Sequence, residues 1–403
     1  MTIFLPDAEW HHRPGLDRLL DALGAGAGEA RFVGGAVRDG LLGLPVNDLD
    51  IATSIEPREV LDRLKRADIK AVPTGIDHGT ITAVLSGWPV EVTTLRRDVS
   101  TDGRRATIAY TTQWREDAAR RDFTFNALYA DPVSGAITDY FDGVADLKAR
   151  RVRFIGDARA RIAEDHLRIL RYFRFLARYG AGEPDETAYE ACRAAANSLM
   201  ALSRERIADE LLKLLGVAAP VRAMRLMIAG GILMPVLPEI ASDGVDRLEG
   251  LIAREGKAGI APSALRRLAA LLPPDPATAE AVGARLKLSN KARKRLMVAL
   301  EPGRTAESPR AMAHRLGVEG AVDRLLLNPA EPLAMVDALT GWTPPALPIS
   351  GGALIRRGLA PGPDVAKALQ AVEAQWVAED FPDAHRVEAI ADQIVSKFQR
   401  ARQ

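Results

Sequence analysis

Two carboxylates, Asp48 and Asp50, stand one residue apart, and Arg38 lies ten residues before the first of them, just after Gly34 and Gly35. In an extended segment alternate side chains share a face. Read as a strand, Asp48-Leu49-Asp50-Ile51 points both acids one way and buries Leu49 and Ile51 behind them. Two carboxylates so placed can hold divalent cations against a triphosphate. The stretch 36–42 reads as a helix that stops at Gly43, and Pro45 keeps it from resuming. Small residues ahead of a helix start leave backbone amides free for an anion, and Arg38, one turn in, adds positive charge. Singly, a Gly-Gly pair is a surface turn and an Asp-x-Asp an edge strand with solvated acids. Their combination in this order makes a phosphate cradle joined to a metal site.

Two further stretches carry candidate chemistry. Glu91 lies between Val90 and Val92, which fits an alternating strand with one solvated face. It is either a plain exposed position or a third carboxylate beside Asp48 and Asp50. His78, before the same hairpin, reads as structural. Residues 120–128 are Arg-Arg-Asp-Phe-Thr-Phe-Asn-Ala-Leu. Arg121 suits a triphosphate, as a planar multi-donor cation. Asp122 and Asn126, four apart, would share a helix face and orient the site.

The elements that must position these residues follow from patterning. Segments 80–85 and 90–95 are β-rich and joined by Ser86-Gly87-Trp88-Pro89, a hairpin turn. Segments 107–112, 125–129 and 137–140 add strand signals. Beyond about residue 155 helical periodicity takes over, over 160–179, 186–202, 204–215, 220–228 and 263–272. The expected architecture is α+β: a catalytic head over 1–155, a helical neck over 156–230, and a helical body and tail over 231–403. Pro-rich stretches at 272–276 and 342–348 read as further boundaries. The segment 97–114, rich in Ser, Thr, Asp and Arg, reads as a mobile loop.

Within the first long helical pattern, Asp165 and Arg168 are three apart and therefore neighbours. Arg168, Arg171, Arg174 and Arg178 follow at spacings of three and four. On a merely structural helix these would repel one another, so a polyanion is expected beside them. The bland reading is an exposed ion pair worth a few tenths of a kcal/mol.

The whole chain sets the limits. At 403 residues it suggests two to four domains. A single cysteine, Cys192, precludes an intrachain disulfide and a cysteine-rich metal site. No apolar run approaches a membrane span, and the N-terminal stretch has neither a secretory nor a transit pattern, so a soluble cytoplasmic protein is expected. Lysine and arginine exceed the acids by one, which argues against non-specific binding to long nucleic acid but not against a local basic surface. Clusters at 120–121, 150–153 and 291–295 are solvated faces or RNA contacts.

Taken together, the glycines with Arg38 and the two aspartates, the Glu91 strand, the Arg-Arg-Asp-Phe-Thr-x-Asn-Ala segment and the Glu-Asp-x-x-Arg-x-x-Arg helix resemble, in order, the motifs of the polymerase-beta-like nucleotidyltransferases of the class II CCA-adding enzyme and bacterial poly(A) polymerase type. The resemblance covers residues 30–215 firmly and the tail more loosely, through 286–290 with its basic run and the Gly-Pro turn at 358–363. That turn faces an RNA phosphate or is a plain helix–turn–helix. The resemblance implies a polymerase-beta-like head and template-independent addition of C, C and A to tRNA 3′ ends from CTP and ATP. Asp48 and Asp50 would hold two Mg²⁺ ions, with Glu91 as third carboxylate. Gly35, Arg38 and Arg121 would hold the triphosphate. Asp165 and Arg168 would read the base edge, accepting from the exocyclic amino group of C or A and donating to a ring acceptor, an order that G and U reverse. Arg171 and Arg174 would support the phosphate or the pair, and 97–114 would match a flexible loop that helps switch from C to A. Poly(A) polymerase and C-only or A-only enzymes share these motifs, and an inactive RNA-binding protein is the alternative of a different class. No histidine is followed directly by Asp, so no His-Asp phosphohydrolase activity is expected.

Overall fold

The computed structural model describes residues 2–101, 106–302 and 307–400. The chain forms two compact units, Met1–Pro238 and Glu239–Gln403.

The first unit holds the strands β1 (Ala30–Val33), β2 (Asp50–Thr53), β3 (Lys70–Gly75), β4 (Thr80–Leu85), β5 (Trp88–Thr94), β6 (Arg96–Thr101), β7 (Ala106–Tyr110), β8 (Leu128–Ala130) and β9 (Ile137–Asp139). A mixed sheet runs in the order β3-β4-β5-β2-β1-β8-β9, and β6 with β7 makes a separate ribbon. β4 alternates as its Thr-Ile-Thr-Ala-Val-Leu sequence dictates, with Ile81, Ala83 and Leu85 buried. Its hairpin to β5 closes on Ser86 and Gly87, both at positive φ, the geometry that matches strand twist. β2 pairs with β5 in parallel, and Asp50 is the register partner of Glu91. Leu49 and Ile51 are buried behind the acids as expected. Asp48, however, precedes β2 rather than lying within it.

The helices of this unit are α1 (Leu16–Ala22), α2 (Gly35–Leu41), α3 (Pro57–Arg66), α4 (Trp114–Ala119), α5 (Gly143–Lys148), α6 (Ala158–Glu164), α7 (Arg168–Tyr179), α8 (Glu186–Ala194), α9 (Arg204–Leu215) and α10 (Val221–Ala229). The single helix expected over 160–179 is thus two. Asp165 adopts an extended conformation, φ −153° and ψ 108°, and its carboxylate accepts the amide of Leu167 at 3.1 Å. A short acidic side chain that caps backbone amides competes with the helix, and here it ends one and starts the next. Asp122 and Asn126 also do not share a helix face, because only a short 3₁₀ turn, Thr124–Asn126, forms there. They meet directly instead, Asn126 Nδ2 donating to Asp122 Oδ1 at 2.9 Å.

An aromatic cluster fastens α7 to the sheet side of the unit. Phe123 packs on Phe154 and Phe175, and Phe125 on Phe175 and Tyr179, with centroids 4.7–5.9 Å apart. Edge and offset contacts of this kind add to the burial of large apolar area. The segment expected to be a mobile loop carries β6 and β7, which pair from Arg96 with Tyr110 to Thr101 with Ala106; residues 102–105 lie outside the described residues.

The second unit is helical. It contains α11 (Ser242–Lys257), α12 (Ala264–Leu271), α13 (Pro276–Arg285), α14 (Asn290–Leu300), α15 (Pro309–Leu316), α16 (Val318–Leu327), α17 (Ala334–Asp337), α18 (Gly351–Arg356), α19 (Pro363–Ala378) and α20 (Ala384–Arg400). The Pro-rich stretch 272–276 is a turn within this unit, where Asp275 caps α13 through the amides of Ala277 and Thr278. Ser263 does not cap α12 with its hydroxyl, which instead accepts Arg295 at 2.8 Å. Arg295 and Arg266 both bond to Asp323, and Arg266 also to Glu255. No helix among the described residues is long and apolar enough to cross a membrane.

Candidate nucleotide and metal site

The local chain path builds the cleft from the turn after β1. Gly34 sits at φ 67° and ψ −119°, a conformation closed to L side chains without strain. A Cβ there would also stand 3.5 Å from an Arg121 nitrogen. The turn starts α2 beside Arg121 and sends Arg38 inward. A cleft of about 430 Å³ opens there, lined among others by Gly34, Gly35, Arg38, Asp48, Asp50 and Arg121. Arg171 and Arg174 of α7 form part of its wall. The glycines, the two aspartates and four of the expected arginines are thus brought together. Glu91, Asp165 and Arg168 are not among the lining residues, although Glu91 is the register partner of Asp50.

The cations of the cleft are held by carboxylates and π faces from behind. Arg38 is buried, its Nε on Asp39 Oδ1 at 2.8 Å, its Nη1 on Asn126 Oδ1 at 2.6 Å, and its guanidinium 4.5 Å from the Tyr179 ring centre. Arg121 donates to Asp117 Oδ2 from Nε and Nη2 at 3.3 and 3.1 Å. The same oxygen accepts the Tyr129 hydroxyl at 2.6 Å, and Arg120 takes Asp117 Oδ1. Burial opposes the charge on Asp117, but Arg121 and Arg120 outweigh it and hold the carboxyl well below the usual range.

The arginine row of α7 differs from the expectation of an uncompensated stripe. Arg168 pairs with Glu164, Arg171 with Asp122, Arg174 with Glu210 and Arg178 with Asp39. Each cation has a carboxylate drawn from a different part of the unit, so the spacing alone does not demand a polyanion. Asp122 is likewise held low: burial opposes ionisation, but Arg171 and the amide of Asn126 prevail.

The acids on the facing side have no such partners. Among the described residues no ion pair or side-chain hydrogen bond engages Asp48, Asp50 or Glu91, whereas the neighbouring Asp39, Asp117 and Asp122 are all multiply bonded. Burial, then Glu91, push Asp50 up to about 6, with Asp48 adding to the effect and Arg121 and Arg38 relieving part of it. Carboxylate oxygens are hard donors that suit a divalent cation, although among the described residues no group of three or more histidine, cysteine or acid side chains is placed to hold a metal ion.

Asp165 and Arg168 lie at the junction of α6 and α7, each engaged by other parts of the protein. Asp165 takes Arg206 of α9 on both oxygens at 3.1 and 2.8 Å. Arg168 gives Nη1 to Glu164 and to the Arg161 carbonyl, and Nη2 to the Arg120 carbonyl at 3.1 Å. A guanidinium has five N–H donors, so two remain for a ligand. Asp165 also acts on Arg171, which lines the cleft. Sequence reading missed Asp39, Asp117, Tyr129, Tyr179 and Arg206. Asp39 and Asp117 follow or precede basic motif residues by a few positions, which was a usable signal; the tyrosines and Arg206 carried none.

Two family models match the chain: Poly A polymerase head domain over residues 30–153, and Probable RNA and SrmB- binding site of polymerase A over residues 183–243. The first covers the strands and most of the cleft, and with the geometry above it makes the chain a polymerase-type nucleotidyltransferase. The CCA tRNA nucleotidyltransferase 1, mitochondrial, of Mus musculus is 33% identical over 392 residues, 93% of this chain and 89% of the mouse protein. The CCA-adding enzyme of Latilactobacillus sakei is 35% identical over 380 residues, 91% of this chain and 94% of its own. The crystal structure of the Bacillus stearothermophilus CCA-adding enzyme in complex with CTP matches with a TM-score of 0.75 at 26% identity, covering 96% of this chain and all of the other. The chain belongs to the CCA-adding enzyme family.

Proposed function

We propose that the chain adds C, C and A in turn to the 3′ end of tRNA without a nucleic-acid template, using CTP and ATP and releasing pyrophosphate. The carrying observation is the cleft itself, where the unpartnered Asp48 and Asp50 face arginines that are braced from behind. Gly35, Arg38 and Arg121 hold the triphosphate, and Arg171 and Arg174 extend that positive wall. Asp165 accepts from the exocyclic amino group of C or A, and the two spare donors of Arg168 meet a ring acceptor. A base of the opposite order leaves both groups unpaired, which is costly.

Asp48 and Asp50 would hold two Mg²⁺ ions, which would supply acidification of the attacking hydroxyl and charge stabilisation of the leaving pyrophosphate. Glu91, beside Asp50 on β5, completes the acid group. We assign base choice to the helical segment 156–230 and tRNA binding to 231–403. We place the enzyme in the cytoplasm, where the buried free thiol of Cys192 suits a reducing compartment.

The test is incubation of a tRNA lacking CCA with CTP, ATP and Mg²⁺. Three additions that then stop are expected. A long A ladder makes the chain a poly(A) polymerase instead, and no addition by a folded sample refutes the assignment.

A further inference from the structure

A closed circuit of hydrogen bonds joins α2, the segment after α4, and both halves of α7. Asp39 Oδ1 accepts Arg38 Nε and the Tyr179 hydroxyl, both at 2.8 Å, and its Oδ2 accepts Arg178 at 3.2 Å. Arg38 passes to Asn126, Asn126 to Asp122, and Asp122 accepts Arg171 Nε at 2.7 Å. Besides the Arg168 and Arg174 pairs, this circuit ties α7 at Arg171 and again eight residues on, about 12 Å along its axis, at Tyr179. The first anchor, Arg171, lies one turn beyond Arg168 at the helix start. The second, Tyr179, lies at the opposite end of α7 and bonds Asp39 on α2, the helix that carries Gly35 and Arg38.

Tyr179 and Arg178 share Asp39, and together they hold the C-terminal end of α7 to α2. Tyr179 is buried at 6% exposure, and its ring packs on Phe125 and Phe175. Its hydroxyl bond therefore serves a purpose separate from its apolar burial. We infer that Tyr179 is a positioning residue for base choice: its bond to Asp39 sets the tilt of α7 and hence where Asp165 and Arg168 stand relative to a triphosphate gripped from α2. The inference rests on the proposed function above. It assigns discrimination, not affinity for phosphate, to a hydroxyl far along the helix from the reading pair.

The test is Tyr179→Phe in the full chain, which keeps the ring and its stack under Arg38 and deletes only the oxygen. Single-nucleotide kcat/KM is measured for CTP, ATP, UTP and GTP on tRNA lacking the appropriate end, with tripolyphosphate inhibition alongside. The CTP/UTP and ATP/GTP ratios are expected to fall about tenfold, the size of one lost buried hydrogen bond, while tripolyphosphate inhibition stays within about twofold of wild type. Unchanged ratios overturn the inference. So does an equal loss with all four nucleotides, which is the mark of a purely structural role. A folded wild type that uses neither CTP nor ATP removes the functional reading, and the inference with it.

Discussion

Asp50 and Glu91 are register partners on the adjacent parallel strands β2 and β5, and among the described residues no cation forms an ion pair with either. Register partners on neighbouring strands stand side by side on one face. Burial, and then the repulsion between two carboxylates so held, lifts Asp50 to about 6. Such an arrangement is unfavourable in the bare protein and becomes favourable when a divalent ion joins it.

Asp50→Asn therefore loses nucleotidyl transfer yet stabilises the metal-free fold at neutral pH. The folded Asp50 binds its proton more tightly than the unfolded one, whose value is 3.8. Its stabilising protonated form is fully present below about pH 4 and is lost as pH rises through about 6. The wild type should thus gain from acidification over that window, by about 1–3 kcal/mol, and Asp50→Asn should not. Thermal melts with chelator at pH 5 and pH 7 check this. A variant that melts below wild type at pH 7 contradicts it, as does one that retains activity.

Arg168→Lys keeps the charge but loses the planar fork that meets Glu164 and two carbonyls and, in the proposed function, a base edge. Discrimination between CTP and UTP should fall roughly 10–100-fold, the range of one bidentate base contact. Tripolyphosphate inhibition should barely move, because Arg168 does not line the phosphate cleft. Loss of inhibition in step with discrimination would assign Arg168 to the phosphate instead.

Asp117→Ala leaves Arg120 and Arg121 without their shared carboxylate in a buried setting. Removing one partner of such a group costs about 3–5 kcal/mol, which lowers the unfolding temperature by roughly 10 °C. Tripolyphosphate, by supplying a counter-charge to Arg121, should raise the variant's melting temperature more than the wild type's. Equal shifts would show that Arg121 does not meet the bound anion.

What could be read from residues alone was the chemistry packed into short stretches. Asp48 with Asp50, Gly35 with Arg38, and Arg121 declared themselves by type and spacing, and the strands around Glu91 by alternation. Two things escaped and one was left open. Asp165 interrupts a pattern otherwise helical throughout, since its capping bond to Leu167 outweighs propensities that favoured one helix. The carboxylates that neutralise Arg174 and Arg178 lie 36 and 139 positions away, where spacing says nothing about contact. The residues offered Glu91 beside Asp50 only as one of two readings, because the choice depends on parallel register between strands separated by a helix and a hairpin, which the folded sheet decides.

Arg168 is steadied in part by the carbonyl oxygens of Arg161 and Arg120. Main-chain acceptors survive every substitution at their own positions, so genetic drift cannot erase them one residue at a time. Glu164, the remaining partner, is the replaceable one. With Arg168 reading the base as proposed, lineages exploring altered nucleotide preference would find few mutational routes to a reoriented Arg168, and selection screens for relaxed specificity should recover changes at Glu164 more often than at the residues whose backbone holds the arginine.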